Sequence, residues 1–219
     1  MADTLTGRRI IVTAGPTLEP IDPVRFISNR SSGQQGYAIA QACAHLGADV
    51  TLVSGPTALP DPLGLKTVRI ESALEMLDAV ETALPADVFI AVAAVADWRP
   101  ANRAEKKLKV DKSGFTGLEL VENPDILKTI ASREQNRPDL VIGFAAETHD
   151  VENLAIAKRA RKGCDWIVAN DVSGDVMGGS HNEVSLVTAT GVEHWPSGPK
   201  SAIAAQLAGR IADALMQNA

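Results

Sequence analysis

Two stretches of this 219-residue sequence gather the residue types that hold phosphate. The first runs from Gly15-Pro16-Thr17 to Ser31-Ser32-Gly33 and leads into a small-residue helical pattern. Free backbone N–H groups and two hydroxyls at a helix start favour anions, because unpaired donors and the helix dipole act together. A serine in that place also serves simply as the N-cap that any helix needs. The second stretch carries Asp97 just after a buried strand pattern and then Lys106 and Lys107. Residues 103–112 hold five basic and two acidic side chains, net +3, and residues 158–162 (Lys-Arg-Ala-Arg-Lys) hold net +4. The whole chain is at −6, which leaves −13 on the remainder. Positive charge is therefore placed locally, as a small-polyanion site requires, although either run alone reads equally well as a solvated face. The overall acidity argues against general nucleic-acid binding.

Other chemistries find no support. His45, His149, His181 and His194 are scattered, so no metal-ligand cluster and no zinc enzyme is expected. No G-x-S-x-G elbow appears. Cys43 and Cys164 lie far apart in apolar patterns, which fits reduced thiols in the cytoplasm better than a disulfide framework. No apolar run approaches the ~20 residues that span a bilayer, and Met1–Gly7 is polar with no apolar signal core. A cytoplasmic location without membrane contact is expected.

The elements that must position these groups follow from periodicity. Near-continuous apolar runs predict strands over Arg8–Ala14, Asp49–Ser54, Thr67–Ile70, Asp87–Ala93, Asp139–Phe144 and Asp165–Asn170. Helical patterns cover Gly33–Leu46, Ser72–Leu84 (with Ser72 and Glu75 as a capping box), Pro124–Ser132 and Val151–Lys162. A hairpin over Glu183–Ala189 and Gly191–Trp195 precedes a helix from Lys200 to Met216. Such alternation predicts an α/β fold, a doubly wound, mainly parallel Rossmann-like sheet with a C-terminal β-hairpin and a long lid loop. One domain over residues 1–219 is expected, with 1–7 as a polar leader or linker and 94–117 as a mobile lid. Gly15–Ser32 and Ala94–Gly117 far exceed the ~2–6 residues of ordinary βα loops. A dinucleotide enzyme would show G-x-G-x-x-G directly after the first strand and a carboxylate ending the second. Here Gly15 is separated from Gly33 and Gly36, and the second strand ends at Ser54. An NADP- or flavin-linked oxidoreductase on the same fold stays as the alternative.

The run TAGPT-x-EP-x-DPVR-x-ISN-x-SSG-x-x-G resembles that of phosphopantothenate–cysteine ligases, in particular the C-terminal half of the bacterial bifunctional coenzyme A flavoprotein, and the likeness extends from about Arg8 onward. The resemblance implies a CTP-dependent ligation of cysteine to 4′-phosphopantothenate through an acyl-cytidylate. CTP is the co-substrate in bacterial relatives and ATP in eukaryotic ones, with Mg²⁺ carried mainly by the triphosphate. Asn29 of the ISN run is implied in acyl transfer, its amide hydrogen-bonding the substrate carbonyl, with Arg25 and Ala94 beside it in substrate binding. Lys107 aligns with the family's nucleotide lysine, although the K-x-K-K motif reads Lys107-Leu108-Lys109-Val110 here. Gly15, Ser31, Ser32 and Gly33, Asp97 of the AAVAD motif, Pro124, Asp125, Ile126 and Leu127 of the NPDI turn, Phe144, Lys158 and Lys162 are implied around the nucleotide. Asn123 before Pro124 also reads as a helix N-cap. Trp98 is expected to pack beneath the lid. A homodimer and a native fusion to a flavin-dependent decarboxylase half are implied as well. The loop 171–182 receives no role.

Overall fold

A computed structural model describes residues 4–108, 117–147, 149–171 and 181–217. In chain order the elements are β1 (Arg9–Ala14), β2 (Leu18–Pro20), β3 (Phe26–Ser28), α1 (Gln34–His45), β4 (Asp49–Ser54), β5 (Lys66–Arg69), α2 (Ala73–Ala83), β6 (Val88–Ala91), β7 (Trp98–Pro100), β8 (Leu120–Glu122), α3 (Ile126–Ala131), β9 (Leu140–Glu147), α4 (Val151–Lys162), β10 (Trp166–Asp171), β11 (His181–Val187), β12 (Val192–Pro199) and α5 (Lys200–Gln217). The main sheet has the order β12-β11-β10-β9-β6-β1-β4-β5, with β10 through β5 parallel and the β11–β12 hairpin antiparallel at one edge. From β1 the chain winds outward to β4 and β5, then returns to β6 on the other side of β1. Strand order therefore reverses between β1 and β6, the place where open α/β sheets bind ligands.

Side-chain alternation divides the core in two. Ile10, Val12 and Ala14 of β1 pack with Tyr37 and Ile39 of α1 and Leu207 and Ile211 of α5. Ile11, Phe89 and Val141 pack on the opposite face with Met76 and Val80 of α2, Ile130 of α3 and Ala155 of α4. With both faces covered, most residues of the inner strands are buried on one side or the other, which is why those strands read as near-continuous apolar runs. The Ser72–Glu75 capping box forms as the sequence predicts.

Four local expectations are corrected. Residues 1–7 are not all a polar leader: Leu5 is fully buried in the core, and its N–H donates to the Leu46 carbonyl at 2.8 Å. A leucine that fills the core belongs to the domain however polar its neighbours are. The two long loops contain strands, β2 pairing β3 and β7 pairing β8 as separate two-stranded ribbons. Each of these strands has three residues, too few for any periodicity to register. The N-cap of α1 is Gly33 in the left-handed region, with no side-chain cap bond; Ser32 does not take that role. The cap of α3 is Asp125, whose carboxylate accepts from the Lys128 N–H, because Asn123 is engaged elsewhere. Of the expected lid, Lys109 to Thr116 lie outside the described residues, as do Thr148 and most of the loop 171–182.

Candidate functional site

A cleft of about 360 Å³ opens at the carboxyl ends of β1, β6 and β9. Thr13, Ala91 and Phe144 line it from these strands, and residues 95–98 after β6 and residues 122–127 leading into α3 line it from the loops. Lys158 and Lys162 enter from α4, one helical turn apart. Asn123 holds the Asp97 loop in place: its Nδ2 donates to the Ala96 carbonyl and its backbone N–H to the Asp97 carbonyl, each at 2.8 Å. Arg99 in turn donates to Asn123 Oδ1 at 3.2 Å and to the Glu122 carbonyl. Trp98 is 47 % exposed and forms part of the cleft wall.

The cleft's electrostatics come from a few groups. Lys162 pairs with Asp125. Burial pushes the Asp125 carboxyl up, but hydrogen bonds from Lys162 and the Lys128 N–H outweigh it and hold the group below the usual range. Lys158 donates to the Phe144 carbonyl at 2.8 Å. Desolvation, reinforced by the Lys162 charge, lowers the Lys158 ammonium below the ordinary lysine range. Two cations facing one cavity, one of them short of water, make a site that an anion relieves.

Beside the cleft the structure reunites glycines that the sequence separates. Gly15 and Gly33 both have φ near +77°, a conformation that suits glycine, and a Cβ on Gly33 would lie 3.5 Å from the Gly15 backbone. A Cβ on Gly36 would meet Ala14 Cβ at 2.5 Å, so α1 packs on β1 with no room to spare. The glycine arrangement of a phosphate-binding turn thus forms in space, with residues 16–32 looped out. Gly33 N–H donates to Ser31 Oγ at 3.3 Å, and Ser32 is exposed beside it. Ala94 ties this turn to the cleft: its N–H donates to the Gly15 carbonyl at 2.9 Å, and its carbonyl accepts from Thr17 at 3.3 Å.

Asn29 stands at this junction. Its Nδ2 donates to the Val95 carbonyl at 3.0 Å and to the Ala94 carbonyl at 3.4 Å. Those two acceptors engage the amide N–H groups and leave Oδ1 with its acceptor capacity. The donor role expected toward a substrate carbonyl would need Nδ2 to leave one of these two carbonyls. Arg25 forks onto the buried Asp22 carboxylate and the Leu108 carbonyl, and does not line the cleft. Lys107 is exposed next to Leu108. Gly15, Ser31, Ser32, Gly33, Arg25, Asn29, Ala94 and Lys107 lie outside the cleft lining, whereas Asp97, Pro124, Asp125, Ile126, Leu127, Phe144, Lys158 and Lys162 share it. Sequence reading misses Thr13, Glu122 and the clamp by Asn123; an Asn-Pro pair signals a turn, not which carbonyls its amide will reach.

The other side of the switch point is filled by the chain itself. Ser54, at the end of β4, is fully buried and hydrogen-bonded to Tyr37 at 2.9 Å and to the Gly55 carbonyl at 2.8 Å. Arg69 covers it, donating to Ser54, Thr57 and the Leu59 carbonyl and standing 5.8 Å above the Tyr37 ring. A dinucleotide's first ribose would need that position and a carboxylate.

Comparison with known proteins agrees with this geometry. Residues 5–215 match the DNA/pantothenate metabolism flavoprotein C-terminal domain family. The coenzyme A biosynthesis bifunctional protein CoaBC of Vibrio cholerae is 48 % identical over 204 residues, covering 91 % of this chain and 51 % of that protein. Its counterpart from Mycobacterium bovis is 44 % identical over 223 residues, 97 % of this chain and 53 % of the relative. The chain thus spans about half the length of the curated relatives it matches. The crystal structure of the C-terminal domain of a CoaBC protein superposes with a TM-score of 0.83 at 42 % identity, covering 99 % of this chain and 100 % of that one. The DNA/pantothenate metabolism flavoprotein from Streptococcus pneumoniae gives 0.76 at 25 % identity, over 94 % and 98 %.

Proposed function

The chain belongs to the DNA/pantothenate metabolism flavoprotein C-terminal domain family, and from that premise we propose that it joins cysteine to 4′-phosphopantothenate with consumption of CTP. The observation that carries this reading is one cleft at the switch point that gathers Asp97, the 123–127 turn, Phe144, Lys158 and Lys162, with the rebuilt glycine turn and Asn29 at its edge.

A carboxylate acylates an amine only after one oxygen becomes part of a leaving group. In the first step a carboxylate oxygen of phosphopantothenate bonds to the α-phosphorus of CTP, and the α–β phosphoanhydride bond breaks to release pyrophosphate. Negative charge grows on the departing oxygens, and preorganised cations lower that barrier most. Lys158 and Lys162 face the cleft for this purpose, and Lys107, exposed on the lysine-bearing arm, is assigned to the same charge by the family resemblance. In the second step the cysteine nitrogen bonds to the acyl carbon, the acyl–oxygen bond to phosphorus-bound oxygen breaks, CMP leaves and the nitrogen gives up a proton. The Oδ1 of Asn29 is suited to accept an N–H of that amine, which orients its lone pair toward the acyl carbon. Asp97, a cleft carboxylate, would hold the waters of a magnesium ion carried by the triphosphate, and such an ion would supply charge neutralisation of the phosphates.

A homodimer is part of the proposal. Val24, Phe26, Trp98 and Leu120 on the two ribbons are 42–59 % exposed, more apolar surface than an isolated ribbon tip needs. We also place the protein in the cytoplasm, with a flavin-dependent decarboxylase half as its native fusion partner; no described helix is long and apolar enough to cross a membrane. The oxidoreductase alternative loses ground because the first-ribose position beyond β4 is occupied by Thr57 and Arg69.

Pyrophosphate release measured with each of the four nucleoside triphosphates, with and without phosphopantothenate, tests the reading. Release with CTP that depends on phosphopantothenate supports it. Tight NADP binding with no release from any triphosphate overturns it. Asn29→Ala is expected to keep release and lose amide formation; amide formation at the parent rate refutes the role given to Asn29.

A further inference from the structure

The lysine-bearing arm begins on a fixed anchor, and that anchor is a carboxylate outside the cleft. Asp22 opens the Asp-Pro turn between β2 and β3, where aspartate and proline are the favoured first two residues. Its Oδ1 accepts from the backbone N–H groups of Val24 at 2.8 Å and Arg25 at 2.9 Å. Its Oδ2 accepts from Arg25 Nε at 3.0 Å, from Arg25 Nη2 at 2.5 Å and from the Leu108 N–H at 3.1 Å. Arg25 Nη2 then closes the loop by donating to the Leu108 carbonyl at 3.0 Å. Both backbone groups of Leu108 are therefore held by one ion pair, 83 residues or more away in sequence. A second tie, the Ala104 N–H to the Ile21 carbonyl at 3.0 Å, fixes the start of the same segment.

The turn itself uses only the bonds to Oδ1. A charged side chain with no solvent exposure is costly unless fully hydrogen-bonded, and the Asp22 side chain has none. Its bonds divide by role: those to Oδ1 close the turn, whereas those to Oδ2 join Arg25 and Leu108. The second set holds the backbone beside Lys107, and the same ribbon ends one residue before Asn29. One tie thus joins the backbone next to Lys107 to the ribbon that leads to Asn29.

We propose that Asp22, through Arg25 and the Leu108 backbone, is a positioning residue that holds Lys107 in register for attack on the triphosphate. The inference rests on the ligase reading for the role of Lys107, but the anchor can be tested without it. Asp22→Asn keeps an oxygen for the turn and turns an N–H₂ group, which cannot accept a hydrogen bond, toward Arg25 and Leu108. The Leu108 amide is expected to exchange slowly in the parent protein and at least tenfold faster in Asp22→Asn. Unchanged Leu108 exchange in the variant overturns the anchor whatever the activity. In pyrophosphate release, Asp22→Asn is expected to lose roughly ten- to a hundredfold, the scale of a misplaced catalytic group. Introduced into Lys107→Ala, the same change should add less than about twofold, since the group it positions is gone. Full additivity shows that Asp22 acts on the fold in general and overturns the positioning role. Should Asp22→Asn not fold, Arg25→Gln removes the bond to the Leu108 carbonyl and leaves the Leu108 N–H on Asp22; Leu108 exchange should then quicken by less than in Asp22→Asn but measurably, and unchanged exchange overturns the anchor. A parent protein that releases no pyrophosphate refutes the ligase reading, while Leu108 exchange still decides the anchor.

Discussion

The two sides of the switch point use the same strands to opposite ends. On the β4 side, Ser54, Thr57, Tyr37 and Arg69 form a closed hydrogen-bonded plug. On the β9 side, Phe144, the 123–127 turn and two lysines border an open cleft. In a dinucleotide-binding protein of this topology the β4 side would hold the first nucleoside. Here the phosphate-type glycine turn survives between the two sides, but the end of β4 is covered by Thr57 and Arg69, whereas the lysine-lined cleft lies on the β9 side. A nucleotide that uses the turn must extend the other way. Fold alone therefore does not identify the ligand; the residues that line each side carry that argument.

The most severe test of this contrast is Gly55→Ala. A Cβ there would lie 1.7 Å from the Pro16 carbonyl oxygen, a backbone atom with no flexible end to give way. We expect a loss of about 3 kcal/mol or more, seen as a fall in Tm of roughly 10 °C. A variant as stable as the parent shows that the plug is loose, and the closed side is then not closed. Lys162→Ala comes next and should act on binding. Its bond to Asp125 is partly exposed, so the pair contributes below about 1 kcal/mol to stability, and Asp125 keeps the Lys128 N–H. CTP affinity by calorimetry should fall about tenfold, the worth of one charged hydrogen bond. A fall in Tm with unchanged affinity would place Lys162 in the scaffold.

A smaller effect should appear with pH. Desolvation and the Lys162 charge disfavour the charged form of Lys158, so its proton leaves at a lower pH than that of an exposed lysine, at ~10.4. A bound triphosphate favours the charged form. Binding then takes up a proton wherever free Lys158 has lost one, and CTP affinity should fall as pH rises through the lowered value. Below that value it should be flat. Lys158→Gln should remove the dependence and leave a weaker, level profile; a slope that persists assigns it to another group.

Long apolar runs made the parallel sheet legible, because burial on both faces leaves a continuous pattern over β1, β4, β6, β9 and β10. The chemistry-bearing loops were legible by motif and by charge. The ribbons were not, since three residues such as Leu18-Glu19-Pro20 take their strand form from a partner and from tertiary bonds. Glu19 is buried because the Ala73 N–H at the start of α2 needs an acceptor, a requirement 54 residues distant. Asn123 and Asn29 show the same limit. Each residue type announced a polar role, but which amide atom would face the ligand depended on carbonyls that only the folded loop 94–96 presents.

The mildest expected change compares the two sides most directly. Gly143, in β9, lies behind the open cleft, and a Cβ there would meet Leu127 Cδ2 at 2.5 Å and Ile167 Cδ1 at 2.7 Å. Both contacts are tighter than at most core sites, yet both are methyl ends of side chains that can rotate. Ile167 is fully buried and has little space to move, whereas Leu127 borders the cleft and can swing toward it. Gly143→Ala should therefore cost only about 1 kcal/mol, well below Gly55→Ala, and the displaced Leu127 should weaken CTP binding a few-fold by narrowing the cavity. The same methyl group thus strikes fixed backbone on one side of the switch point and yielding side chain on the other. Equal losses of Tm at Gly55 and Gly143 would mean that the β9 side is as rigidly packed as the β4 side, and an opening there could not be credited with adapting to a base.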